Sequence, residues 1–243
     1  MSALLRAELL KLRTTRTFAA LVGAALALSL LVVVLSTTLG SDFDEQDVRE
    51  LFTFDFTPLF ILLLGVMGMA GEWRHRTITS TILAAPDRLR LLTAKMLAYA
   101  AAGIVLSLIV TVAIMAVGSL VLSGRGETTI GLADLAEVLW PNLVVAALLG
   151  AFGVAIGGLV RNQVVAIVGV FMLFAVEPAV IGLAIDVGRF GPIVGAPNGI
   201  IGINPIEEGE DLLAPGIAVL VMLGWILAGF AATAALLRGR DLV

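Results

Sequence analysis

Cysteine is absent from the 243 residues, and histidine occurs once, at His75. Disulfide staples and thiolate metal sites are thereby excluded, and one imidazole builds no zinc site on its own. Lysine is nearly as scarce. Lys11 follows Leu10 and Lys95 follows Ala94, so the Gly-Lys of a phosphate-cradling loop is missing and ATP has no such seat on this chain. A Gly-x-Ser-x-Gly elbow does not occur, His-Glu-x-x-His is impossible with one histidine, and no paired aspartates stand within an apolar run. The sequence thus offers no catalytic, cofactor-binding or metal-ligating set, and the chain does not read as an enzyme. Charge is sparse as well, at 14% of residues, against about a quarter in a soluble domain.

Hydrocarbon is what the chain has in quantity. Hydrophobic residues make up 60% of it and the mean hydropathy is +1.09, a composition that suits a bilayer. A spanning helix needs about 20 mostly apolar residues, because lipid offers no partner to an exposed amide. Six segments meet that requirement: 18–39, 52–70, 95–122, 138–160, 164–185 and 213–237. The expected fold is an all-α polytopic bundle forming a single transmembrane domain over 1–243, with both termini on the same side.

Charge orients it. With the N-terminus inside, Arg6, Lys11, Arg13, Arg16, Arg74, Arg76, Arg88, Arg90, Lys95, Arg161, Arg238 and Arg240 are cytoplasmic, and Arg49, Arg125 and Arg189 are outside. Basic loops resist translocation, so this orientation is preferred over its inverse. Carboxylates gather in the external loops, at Asp42, Asp44, Glu45, Asp47 and Glu50 and again at Glu207, Glu208, Glu210 and Asp211. Basic residues in short juxtamembrane runs fit lipid phosphates, and nucleic acid is not an expected partner. The apolar run from Phe18 exceeds a signal-peptide core of roughly 7 to 15 residues, which makes it a retained span.

Three further segments carry information. Residues 2–16 mix Leu4, Leu5, Leu9, Leu10 and Leu12 with Arg6, Glu8, Lys11, Arg13 and Arg16, the pattern of a helix lying on the inner surface with its leucines in lipid. The link 186–211 is rich in glycine and proline yet apolar, which predicts a re-entrant or interfacial element, an ordinary external loop being the alternative. Small residues at one-turn spacing, Gly153 with Gly157 and Gly224 with Ala228 and Ala232, permit close helix contacts.

The segment 71–94 is the longest cytoplasmic excursion. Thr77 or Thr79 suits a helix cap, Ile78, Ile82 and Leu83 repeat at helical spacing, and Pro86 with Asp87 suits the first turn of the helix that continues into the third span. Trp73 is an interfacial anchor. Gly71-Glu72, Arg76-Thr77-Ile78, then Leu83, Ala84, Ala85, Pro86, Arg88 and Lys95, in that order and spacing, resemble the permease subunits of ABC-2 type transporters.

The resemblance implies a coupling helix at about 77–84 that docks on a separate ABC ATPase subunit, with Glu72, Arg76, Thr77, Ile78, Ile82, Leu83, Pro86 and Arg88 in the coupling region. Glu72 would pair with Arg76 or with that partner. ATP and Mg would be bound by the partner and no cofactor by this chain. A second permease copy, identical or not, would complete the path, with substrate-path residues drawn from the second and fifth spans. The implied setting is the bacterial cytoplasmic membrane, and the implied activity is ATP-driven export of an amphipathic or lipid-like substrate or drug.

Glu177, beside Pro178, is read as the one carboxylate well inside an apolar run. A buried acid invites a role in proton coupling, so a proton-linked secondary transporter is one rival, and a non-transporting membrane scaffold is another. The structural alternative for Glu177 is that it bonds polar groups freed by the proline kink, or sits in a wet vestibule near the outer face.

Overall fold

The computed structural model describes residues 1–74, 87–131, 134–160, 162–203 and 212–238. Its described residues form helices joined by non-helical links, with no strand among them. In chain order the helices are α1 (Ser2–Thr14), α2 (Arg16–Leu39), α3 (Glu45–Thr53), α4 (Thr57–Arg74), α5 (Arg88–Arg125), α6 (Leu135–Leu159), α7 (Gln163–Leu183), α8 (Ile185–Gly188), α9 (Gly195–Ile201) and α10 (Pro215–Arg238). Among the described residues, six stretches are long and apolar enough to cross a membrane: Arg16–Leu39, Glu45–Arg74, Arg88–Arg125, Leu135–Leu159, Gln163–Leu183 and Pro215–Leu237.

Local chemistry sets the helix ends. Asp44 and Asp47 form a reciprocal capping box at α3, with Asp47 N–H donating to Asp44 Oδ1 at 2.7 Å and Asp44 N–H to Asp47 Oδ2 at 3.1 Å. Asp87 caps α5 by accepting from Arg90 N–H at 3.1 Å, and Asn162 caps α7 by accepting from Val164 N–H at 2.9 Å. At its far end α5 closes on Gly126, whose φ of 75° is left-handed and is open to glycine without a Cβ penalty.

The second span departs from expectation. Its apolar run was expected to start at 52, but the chain breaks at Phe54 and the spanning helix α4 runs from Thr57 to Arg74. Phe52 belongs to α3, a separate amphipathic helix that packs Val48 and Phe52 inward. The acidic cap and the polar outer face of α3 favour a surface helix over a continuation of the span.

α6 is the central helix, with α4 and α5 running along it and α10 covering another side. Glycines allow the approach. A Cβ added to Gly153 or Gly157 would meet backbone of α4, and one added to Gly103 or Gly150 would meet backbone across the α5–α6 seam. Lipid provides little hydrophobic drive for helix association, so such close van der Waals contact has to hold the bundle. Gly153 and Gly157 therefore pack within the chain, whereas Gly224, Ala228 and Ala232 of α10 face outward. The outward faces of α2 and α7 carry Leu28, Leu31 and Leu35, and Val168, Phe171 and Met172, the apolar exterior expected of a lipid-embedded bundle.

The link after α7 folds onto the bundle as far as it is described. α9 buries Ala196, Pro197, Gly199 and Ile200 against α10, α6 and α7.

Candidate functional site

The helices that flank 75–86 are tied together by an ionic cluster. Lys95 of α5 is 1% exposed, and its Nζ lies 2.8 Å from Glu8 Oε2 of α1 and 2.9 Å from Glu72 Oε1 of α4. Lys11, one turn along α1 from Glu8, donates to the same Oε1 of Glu72 from the more exposed side. Two cations face two carboxylates, so the cluster is neutral as a set. Burying any one of these charges alone would cost several kcal/mol, and the remaining members offset that cost.

This arrangement revises the expectation for α1. The helix docks along α5 and buries Glu8 and Leu12 on protein, while Leu9 and Leu10 remain exposed. Leu5, Glu8 and Leu12 are spaced for one helical face. A lone acid on the apolar side of a basic helix was the signal that it had an internal partner.

Around the cluster, further contacts hold the same end of the bundle. Arg74, the last residue of α4, donates to Gln163 Oε1 at 3.3 Å at the start of α7. Arg88, the first residue of α5, donates to the Leu237 carbonyl near the end of α10. Both flanks of the segment are thus fastened to other spans. Beside the cluster lies a cavity of about 320 Å³ lined by Lys11, Thr15, Gly68, Glu72, Tyr99 and Gln163. Gly68 makes room for the Tyr99 ring there, since a Cβ would collide with it.

Of the residues implicated from sequence, Glu72 and Arg88 stand in this arrangement. Arg76, Thr77, Ile78, Ile82, Leu83 and Pro86 lie outside the described residues. Glu72 has Lys95 and Lys11 as its described partners, and the expected partner Arg76 lies outside the described residues. Glu8 and Lys11 join the cluster without belonging to the motif that marks the coupling region.

Glu177 is far from this end. Its Oε1 accepts hydrogen bonds from Val194 N–H at 2.8 Å, Gly195 N–H at 2.9 Å and Ile193 N–H at 3.1 Å. These amides open α9 and belong to a segment 16 to 18 residues further on, not to the turn freed by Pro178. Gly191 lies against the same carboxylate, where a Cβ would not fit. The carboxylate fastens α9 to α7 through charge-assisted bonds to main-chain donors that would otherwise be orphaned.

A sequence model of the family described as "ABC-2 family transporter protein" matches residues 4–180, more than half of the chain. The match takes in α1 through most of α7, and with them every member of the ionic cluster. No curated protein matches the chain.

Proposed function

The chain belongs to the ABC-2 family of transporters, as a membrane permease component that is not itself catalytic, and from that premise we propose that ATP hydrolysis on a separate subunit drives it as an exporter. The segment 75–86 is the docking element for that ATPase, on the cytoplasmic side of a bacterial inner membrane. Ile78, Ile82 and Leu83 are expected to supply its apolar contact and Arg76 and Arg88 its charge.

One observation carries the coupling argument. Both helices leaving the segment, α4 and α5, are bound to α1 by Lys95, Glu72, Glu8 and Lys11. A displacement of the segment by its partner is shared among three helices at once, and cannot be absorbed by one of them alone. Export requires a bundle with two arrangements whose balance the partner biases, and such packed units switch between discrete states in place of deforming continuously. A second permease copy, identical or related, completes the translocation path. The cargo is amphipathic or lipid-like, in keeping with the low polar content of the spans.

The test is association. Affinity-purified chain is expected to bring down an ABC ATPase and to alter its turnover, and Ile78→Asp with Ile82→Asp is expected to abolish that association. Intact association in the double variant would show that the segment is not the docking element.

A further inference from the structure

At the end of the bundle opposite α1, a cavity of about 460 Å³ opens between the α3–α4 break, α6, α7 and α9. Its walls are Phe54, Phe56, Phe171 and Phe174 with Pro178 and Pro197. Among its described lining residues one carboxylate occurs, Asp55, and no lysine, arginine or histidine. That carboxylate stands near the edge of the run 52–70, where a charge reads as a span end.

Asp55 stands at the start of α4. Its Oδ1 accepts from Thr57 N–H at 2.8 Å, which occupies the opening turn of α4 with negative charge. The hydroxyls of Thr57 and Thr111 are its further polar neighbours. Thr57, 1% exposed, lines the same cavity. Asn142 is spoken for, its amide nitrogen donating to the Thr53 carbonyl at 3.1 Å and to Thr111 Oγ1 at 3.4 Å. Glu177, behind α9, is saturated by main-chain amides and does not compete.

We infer that this cavity binds an amphipathic monocation, with the positive centre toward the Asp55 carboxylate and the apolar body among the phenylalanines. An anion is disfavoured because Asp55 already fills the helix terminus that would attract one. A divalent metal is disfavoured because it needs six or so oxygen ligands, and this wall is hydrocarbon. A cation over aromatic faces, beside one carboxylate that has no lysine or arginine among the described lining residues, matches both halves of the lining, and the volume is that of a drug-sized ligand. This inference deepens the exporter reading and rests on it for the direction of transport.

Labelled tetraphenylphosphonium, a permanent cation, is to be titrated against the full chain in nanodiscs, with neutral triphenylphosphine oxide as competitor. Saturable binding is expected, weakened at least tenfold by Asp55→Asn, largely kept by Asp55→Glu, and not displaced by the neutral compound. Absence of saturable binding to the wild type, equal binding by Asp55→Asn, or equal competition by the oxide overturns the assignment. Should Asp55→Asn fail to elute as the wild type does, a photoreactive phosphonium on the wild-type chain decides. Its cross-links must map to 53–59, 142–145, 171–178 or 193–203, and cross-links confined elsewhere refute the site. Because no ATPase is present, failure here leaves the docking of 75–86 untouched, and binding here survives if that docking fails.

Discussion

Lys95 Nζ stands 2.9 Å from Glu72 Oε1, joining the two helices between which the segment 75–86 runs. The pair is buried at 1% and 3% exposure, and Glu8 completes it from α1. Replacing Lys95 by methionine keeps the volume and removes the charge, leaving two carboxylates in a site built for one more cation. The loss of stability is expected to be about 3–5 kcal/mol, read as a lowered unfolding midpoint in detergent. Adding Glu8→Gln to Lys95→Met is expected to recover part of it. An unchanged midpoint in the single variant would mean that the cluster is not a structural tie.

Arg49 supplies the contrast. It bridges Asp134 and Glu137 at the opposite end, but it is 40% exposed and its partners 33% and 62%. Arg49→Ala is expected to cost at most about 1 kcal/mol, with the difference vanishing in high salt. A midpoint shift as large as that of Lys95→Met would contradict this ranking.

Gly153 meets the α4 backbone, and main chain cannot step aside as a flexible side chain can. Gly153→Ala is expected to destabilise by about 1–3 kcal/mol through overpacking. Gly224→Ala on the outward face of α10, where the added carbon would meet no neighbouring helix within 4 Å, is expected to be silent in the same thermal assay.

Glu177→Gln exchanges a charged acceptor for a neutral one beneath three amides. Bonds to a charged acceptor are worth about 1.5–3 kcal/mol each, so amides 193–195 should exchange hydrogen at least tenfold faster. Transport dependent on the proton gradient is not expected to be the property lost. If it were, with exchange at 193–195 unaltered, the secondary-transport rival would stand.

Because the chain has no cysteine, topology can be read with single introduced thiols. Ser80→Cys is expected to react with a membrane-impermeant maleimide only after the cytoplasm is opened, and Asp42→Cys in intact cells. The reverse result would invert the orientation inferred from the basic residues.

The spans were legible because the cost of an unbonded amide in lipid demands a run of about 20 apolar residues, and such runs survive any tertiary arrangement. The break at Phe54 was not, since Phe52 and Phe54 read as more of the same run. The capping pair Asp44 and Asp47 marks only where α3 begins, and the available signal for a new start was Asp55 ahead of Thr57 and Pro58. Glu72 was legible as a charge at a span end, but its partners lie 61 and 23 residues away, at separations no local pattern encodes. Glu8 and Lys95 do leave a trace, each being a charge placed on the apolar side of its helix. Asp55 reads as a charge at a span end, and nothing local in the sequence reveals the cavity beside it.

α5 runs from Arg88 to Arg125 without a proline or a break, about 57 Å at 1.5 Å per residue. Its near end is gripped through Lys95, and at its far end Arg125 donates to the carbonyls of Thr37 and Gly40, where α2 stops. A shaft of that length has no joint at which motion can be lost. A tilt of about 5° at one end sweeps the other by about 5 Å, close to one helical turn, so a minor rearrangement at one end suffices to reseat the loops at the other.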